Sequence, residues 1–210
     1  MKGRLLMEFV DLSECRKRVE ALIERVARFL LLSIEKGEVP SLSSISRLVE
    51  EYVGGGFTCL KVTVKPSIYL AFLERELEKI NSMLLDKAME ALSKHMETMK
   101  SDLHNLLSMI MTNYAIHEAR IVSTFQEMIK RYGKLAVKGD ELAASLLKTM
   151  EEAVYAAVVR FLAISALLSH LPTSKVEHLT GKIVEAIEWF MREEDNTIIL
   201  ASYHIRNILG

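Results

Sequence analysis

Apolar residues near the start of the chain recur every three or four positions, which is the period of an α-helix. The first series follows a capping-box-like Asp11–Glu14 and comprises Cys15, Val19, Leu22, Val26 and Phe29. Gly37 and Pro40 end this series, and Ser41 can cap a second, shorter one. The pattern predicts helices over about residues 12–36 and 42–53.

Residues 57–64 follow a different pattern, because they alternate in polarity and are rich in β-branched side chains. Leu60, Val62 and Val64 fall on one face of an extended chain, opposite polar residues. This predicts a single short strand after the triple glycine 54–56. Since a lone strand leaves backbone groups unpaired, it needs an unrecognised neighbour or a second copy of the chain.

Residues 67–132 contain neither Gly nor Pro, which is longer than an ordinary helix. Eight apolar residues in this stretch, which we call the heptad seam, follow one another in alternating steps of four and three. They are Leu85, Met89, Leu92, Met96, Met99, Leu103, Leu106 and Ile110. The seam predicts either one long coiled-coil-like helix or an antiparallel hairpin. Ser101 and Asp102 are one place where the helix could break, because their side chains compete for backbone hydrogen bonds.

The next helical segment, residues 140–171, is apolar on almost every side, with a loop before it between Gly133 and Gly139. Between residues 153 and 171 only Arg160 and His170 are clearly ionisable, which predicts a helix buried all round. A transmembrane span is the rival interpretation. It is disfavoured because one central Arg costs about 2.5–3.5 kcal/mol on insertion scales.

Two more helices are predicted after Pro172, one over residues 174–194 and a last one capped by Asp195. A strand over 197–205 is the less favoured option for the end of the chain. The sequence therefore predicts an all-α multi-helix bundle with a short β insertion at 57–64. An N-terminal segment, 1–66, and a bundle core, 67–210, would form its two parts, most simply within one compact domain.

Three polar residues are candidates for burial within this bundle. Arg160 needs a carboxylate or several carbonyl groups as partners, and Glu185 or Glu188 on the following helix could supply the carboxylate if the two helices pack antiparallel. His117 falls among the apolar positions, one turn from Asn113. We expect a hydrogen-bonded core histidine or a polar register-setter there, in preference to a metal ligand or a base.

Known catalytic and ligand-binding motifs are missing from the sequence. It contains no phosphate-binding glycine motif, dinucleotide fingerprint, paired-cysteine zinc spacing, His-Glu-x-x-His or nucleophile elbow. The six histidines lack the helical spacing of a metal site, and Glu-x-x-His does not occur. The sequence thus predicts no catalytic residue, no cofactor and no metal.

Composition narrows the choice of partner and compartment. The 27 Lys and Arg residues balance 28 Asp and Glu residues, which disfavours a dedicated nucleic-acid binder. Two cysteines cannot form a disulfide framework, so we interpret Cys15 and Cys59 as small buried residues of a cytoplasmic protein. One Gln and five Asn in 210 residues are typical of a thermophile.

These observations favour a non-enzymatic scaffold or regulatory protein-interaction module. A seam of this length is more than a single small domain covers, so we expect a homodimer held by residues 67–132, with any further protein partner left open. A hairpin that breaks near Ser101 would instead bury the same residues within one chain and predict a monomer. One alternative is a DNA-associated regulator that uses residues 12–66, where 11 basic residues accompany 9 acidic ones in the first 66 positions. The other alternative is an enzyme with an unrecognised site.

Overall fold

The chain folds into a bundle of α-helices. A computed structural model describes residues 12–53 and 65–209, and these contain helices and turns but no strand. The helices are α1 (Leu12–Lys36), α2 (Leu42–Val53), α3 (Pro66–Ser93), α4 (Ser101–Val137), α5 (Glu141–His170) and α6 (Thr173–Leu209). The all-α class is therefore confirmed, while the strand predicted at 57–64 lies outside the described residues.

The first two helices form where local sequence signals place them. Gly37 follows α1 with φ of 77°, a conformation that glycine adopts without strain. The Ser41 hydroxyl accepts a hydrogen bond from the Ser44 backbone N–H at 3.3 Å, which caps α2. Both helices have the predicted bounds because caps and stops act over a few residues only.

Residues 67–132 form an antiparallel hairpin, so the alternative of one long helix is wrong. Asn81 on α3 donates a hydrogen bond to the Ser123 hydroxyl on α4 at 3.2 Å. Eleven residues earlier on α3, Leu70 faces Gly133, which is ten residues later on α4. The order of these two contacts shows that the helices run in opposite directions. The break ends where α4 begins, at Ser101.

The connection between α3 and α4 is hydrogen-bonded to the end of α5 and the start of α6. His95 has no exposed surface, and its two ring nitrogens bond Thr173 Oγ1 at 2.9 Å and the Leu168 carbonyl oxygen at 2.8 Å. The Lys100 backbone N–H donates to Glu177 Oε1 at 2.9 Å. We call these contacts the turn anchor. They provide the connection with polar partners that a continuous helix would not reach.

Gly133 lies inside α4, although the sequence predicted that it would begin a loop. A Cβ atom at this position would be 3.1 Å from Leu70 Cδ1, which is tighter than ordinary packing. The glycine thus lets α3 approach α4 closely. The helix ends only at Val137, and Gly139, with φ of 95°, provides the turn.

Helix α5 is the central element, and the other five helices of the described residues all pack against it. It begins with the predicted cap, where Asp140 accepts a hydrogen bond from the Ala143 backbone N–H at 2.9 Å. By length and composition α5 could cross a membrane, but 72% of its most apolar stretch is buried inside the protein. Burial to this extent is typical of a helix in the core of a folded protein.

Helix α6 is continuous over 37 residues, so the predicted break at Asp195 is wrong, as is the optional strand over 197–205. The Asp195 carboxylate does not cap backbone N–H groups. It accepts hydrogen bonds from Arg120 Nη2 at 2.6 Å and lies 3.2 Å from His117 Nε2, both on α4. Aspartate often caps a helix, but Asp195 instead makes contacts between α6 and α4.

Cys15 corrects another expectation. It is only partly buried on α1 and is disulfide-bonded, so its interpretation as a small buried thiol is wrong. Cys59, the other cysteine in the sequence, lies outside the described residues. Cysteine usage therefore no longer supports a reducing compartment, and a cytoplasmic location stays a prediction.

Candidate functional site

The heptad seam is divided between α3, the connection and α4, and it does not form one continuous face. Leu92, Met99 and Ile110 are buried in the core of the single chain, and Leu103 packs against that core. The remaining four residues are exposed: Leu85, Met89, Met96 and Leu106. Half of the seam thus stabilises the internal fold, which the regular spacing in the sequence could not reveal.

The exposed half of the seam is extended by two further apolar residues of α4. Met89 is eight residues after Asn81 on α3, and Ile116 is seven residues before Ser123 on α4. Because Asn81 and Ser123 are in contact and the two helices are antiparallel, Met89 and Ile116 lie at a similar height along the hairpin. Both side chains are exposed, as is Met109 two turns before Ile116. We call this set the outer strip: Leu85, Met89, Met96, Leu106, Met109 and Ile116. Asn113, predicted to be buried, is exposed on the same face of α4.

A second feature is a group of charged side chains in the interior, where α4, α5 and α6 meet. Arg160 of α5 has no exposed surface and donates to Glu193 Oε2 at 2.9 Å and to Glu194 Oε1 at 2.6 Å. Its guanidinium also lies 4.0 Å from the centre of the Phe190 ring. The buried arginine is therefore paired, and α6 provides both of its carboxylates.

The expected partners of Arg160 were Glu185 and Glu188, and these are wrong. That expectation rested only on antiparallel packing of α6 against α5. In the structure α6 packs against α4 as well as α5, so the residue that meets Arg160 is about two turns further along. Such a shift depends on packing between three helices and leaves no local trace in the sequence.

Glu118 is a member of this group that sequence reasoning missed. Its side chain is fully buried on α4, and no N–H or O–H group donates a hydrogen bond to either carboxyl oxygen. Burial and the neighbouring Glu194 carboxylate raise the pKa of Glu118 well above its usual range, against a smaller opposite effect of Arg160. Two adjacent carboxyl groups require either a shared proton or a cation between them.

His117, next to Glu118 in sequence, is 8% exposed and lies between two carboxylates of α6. Its Nε2 is 3.2 Å from Asp195 Oδ1, and its Nδ1 is 3.4 Å from Glu194 Oε2. A carboxylate can only accept, so the contact with Asp195 places a proton on Nε2. In neutral His117, Nδ1 then presents a lone pair towards Glu194.

We call the whole set the α4–α6 polar cluster: His117, Glu118, Arg160, Glu193, Glu194 and Asp195. Apolar and aromatic surfaces surround it, including Tyr114, whose ring meets Phe161 edge-on at 5.2 Å. The Tyr114 hydroxyl approaches Glu194 Oε1 at 3.4 Å, and burial raises the pKa of this tyrosine well above its usual value. Glu-Glu-Asp at 193–195 was the sequence signal for the cluster, but the sequence reading treated Asp195 as a helix cap.

Comparison with other proteins adds no functional information. The chain matches no family model, no curated protein and no solved structure, so its function is argued from its own residues.

Proposed function

We propose that the protein is a self-associating helical interaction module, and that two copies pair through the outer strip. The observation that carries this proposal is the absence of Lys, Arg, Asp and Glu from α4 between residues 103 and 116. The exposed residues of this stretch include Leu106, Met109 and Ile116. An exposed helix face of four turns without a formal charge is unusual in water and typical of an interface.

The neutral residues among these apolar side chains favour a second copy as the partner. Asn105 and Asn113 are exposed on the same face of α4, in sequence with Met109. In a two-fold interface each patch meets itself, so carboxamide groups can hydrogen-bond with their symmetry mates. A patch of one charge sign would repel its own copy, and residues 103–116 of α4 carry no Lys, Arg, Asp or Glu.

Light scattering of the full chain tests the proposal. We expect twice the chain mass of 23.8 kDa for the wild type. Ile116→Glu places a charge within the outer strip and should give a folded species of 23.8 kDa. Leu32→Glu is a matched control, because Leu32 on α1 is 57% exposed and Ile116 is 59% exposed. The control should remain dimeric.

Two outcomes would contradict the proposal. The first is a wild-type mass of 23.8 kDa over a wide concentration range, and the second is an unaltered dimer in Ile116→Glu. Far-ultraviolet circular dichroism of both variants checks that any loss of mass is dissociation of folded chains. Asn113→Asp offers a second, smaller perturbation of the same face.

The DNA-associated alternative is less favoured by the described part of residues 12–66. Arg16 and Arg18 lie 3.2 Å and 3.0 Å from glutamates on their own helix, and Arg25 donates to the Tyr52 hydroxyl. Acidic side chains therefore accompany the basic ones along α1. Salt-dependent retention of duplex DNA by the purified chain would favour this alternative over self-association.

A further inference from the structure

Four buried atoms of the α4–α6 polar cluster have no hydrogen-bond partner. They are Nδ1 of His117, both carboxyl oxygens of Glu118 and Oε2 of Glu194. One ligand atom from each of these three residues lies within 4.8 Å of the other two. Of the unpartnered atoms, His117 Nδ1 and Glu194 Oε2 are 3.4 Å apart. Each unmet polar group costs free energy in the interior.

A single proton does not satisfy all of these atoms, and two protons would require the imidazolium form of His117 and neutral Glu118 at the same time. A proton shared between Glu118 and Glu194 leaves Nδ1 of His117 without a donor. A proton on Nδ1 provides Glu194 with a donor and leaves Glu118 without one. A cation at the centre would meet the nitrogen lone pair and both carboxylates at the same time.

We propose that the α4–α6 polar cluster binds one divalent transition-metal cation through His117 Nδ1, a carboxylate oxygen of Glu118 and Glu194 Oε2. One imidazole and two carboxylates are ligands typical of Zn²⁺, Mn²⁺ or Fe²⁺, whereas Ca²⁺ and Mg²⁺ prefer oxygen ligands alone. Atoms bound at about 2.1 Å to one ion are at most about 4.2 Å apart. Small side-chain rotations are therefore enough to form the site.

The residues around these three ligands have the arrangement that metal sites require. Asp195 accepts from His117 Nε2, which orients the ring and leaves Nδ1 as the ligand atom. Arg160 holds Oε1 of Glu194 and leaves Oε2 towards the centre. Arg120 in turn holds Asp195. The second polar atoms of His117 and Glu194 are thus hydrogen-bonded to Asp195 and Arg160. The second carboxyl oxygen of Glu118 has no such partner.

The charge of the cluster is also suited to a divalent cation. Glu118, Glu193, Glu194 and Asp195 bring four negative charges when ionised. Arg160 within the cluster and Arg120, which lies beside it and pairs with Asp195, bring two positive charges. The remaining charge of −2 would be neutralised by one divalent ion. Asp195 is 46% exposed, so the cluster lies close enough to the surface for an ion to enter.

Metal titration of the full chain tests the site independently of self-association. The protein is treated with EDTA, exchanged into metal-free buffer and titrated with Zn²⁺ or Mn²⁺ alone by calorimetry. We expect one ion per chain and a higher melting temperature. Glu118→Gln and His117→Gln should each weaken binding at least 100-fold, and Asp195→Asn, which removes an orienting carboxylate, 10- to 100-fold.

Glu151→Gln is the matched control, because Glu151 is a buried glutamate of α5 outside the cluster and accepts from Tyr69. It should bind the metal as the wild type does. Binding that is unaltered in both Glu118→Gln and His117→Gln would show adventitious surface sites only and overturn the proposal. Failure of folded wild-type protein to bind Zn²⁺, Mn²⁺ or Fe²⁺ at one ion per chain would also overturn it.

Discussion

Arg160 donates two hydrogen bonds to one oxygen of Glu194, from Nε at 3.1 Å and from Nη2 at 2.6 Å. Neither side chain is exposed by more than 1%. The Tyr114 hydroxyl of α4 approaches the same oxygen at 3.4 Å, and the other oxygen of Glu194 faces His117, also on α4. This glutamate therefore links all three helices of the polar cluster.

Removal of Arg160 should be strongly destabilising. Arg160→Met leaves Glu194 buried without its cation, and we expect the free energy of unfolding to fall by about 3–5 kcal/mol in urea denaturation with EDTA present. The double variant Arg160→Met with Glu194→Met should recover most of this loss, because no unpaired charge remains. A loss below about 1 kcal/mol for the single variant would show that the pair contributes little.

The pH dependence of stability should report Glu118 in the metal-free protein. Its pKa is raised in the folded state, so the folded chain holds this proton more tightly than the unfolded chain. The resulting stability is fully present below the ordinary carboxyl pKa and is lost as the pH rises towards the raised value. Glu118→Gln is neutral at every pH, so its unfolding free energy should fall less between about pH 5 and pH 8 than that of the wild type.

The control for this comparison is Glu185→Gln, which changes an exposed glutamate of α6. It should follow the wild-type pH curve. Superimposable curves for wild type and Glu118→Gln in EDTA would show that Glu118 is not responsible for the slope.

The turn anchor should be important for stability although it lies far from the polar cluster. His95→Ala leaves the Leu168 carbonyl without its donor and creates a cavity, and we expect a loss of about 2–4 kcal/mol in chemical denaturation. His178→Ala, at an exposed position of α6, should change stability by less than about 0.5 kcal/mol. Equal effects of the two substitutions would contradict the role assigned to His95.

Two glycines should respond to alanine in opposite directions. Gly139 has φ of 95° and nothing within 4 Å of an added Cβ, so Gly139→Ala should cost about 1–2 kcal/mol through backbone strain alone. Gly181 lies inside α6 and also has open space around an added Cβ, so Gly181→Ala should add about 0.5–1 kcal/mol. Thermal melting should show a lower melting temperature for Gly139→Ala and a higher one for Gly181→Ala. A shift of both melting temperatures in the same direction would contradict this account.

The sequence predicted those parts of the fold that depend on neighbouring residues. Gly37, Ser41 and Asp140 act on backbone groups within a few positions, and the helix ends they define are where the pattern indicated. Gly133 and Asp195 have the same local character but serve contacts between helices, so their local interpretation was wrong. The difference is the range over which each residue finds its partner.

The polar cluster shows the same limit more strongly. The burial expected for Arg160 followed from its apolar surroundings in the sequence, whereas its partners depend on how α6 crosses α4 and α5. Glu118 carried no signal at all, because a glutamate on a long helix is usually exposed. His117 is interior, but its carboxylate neighbours are 77 and 78 residues away in sequence.

The turn anchor also has a consequence for the rate at which the protein unfolds. The contact between His95 and Thr173 closes a loop of 78 residues, whereas the α3–α4 and α5–α6 turns join neighbouring helices. Long loops close at a higher entropic cost, so we expect the two hairpins to form before the anchor joins them. Interactions made after the folding transition state affect mainly the unfolding rate. We therefore expect the anchor contacts to slow global unfolding, and their removal to raise the unfolding rate more than it lowers the folding rate.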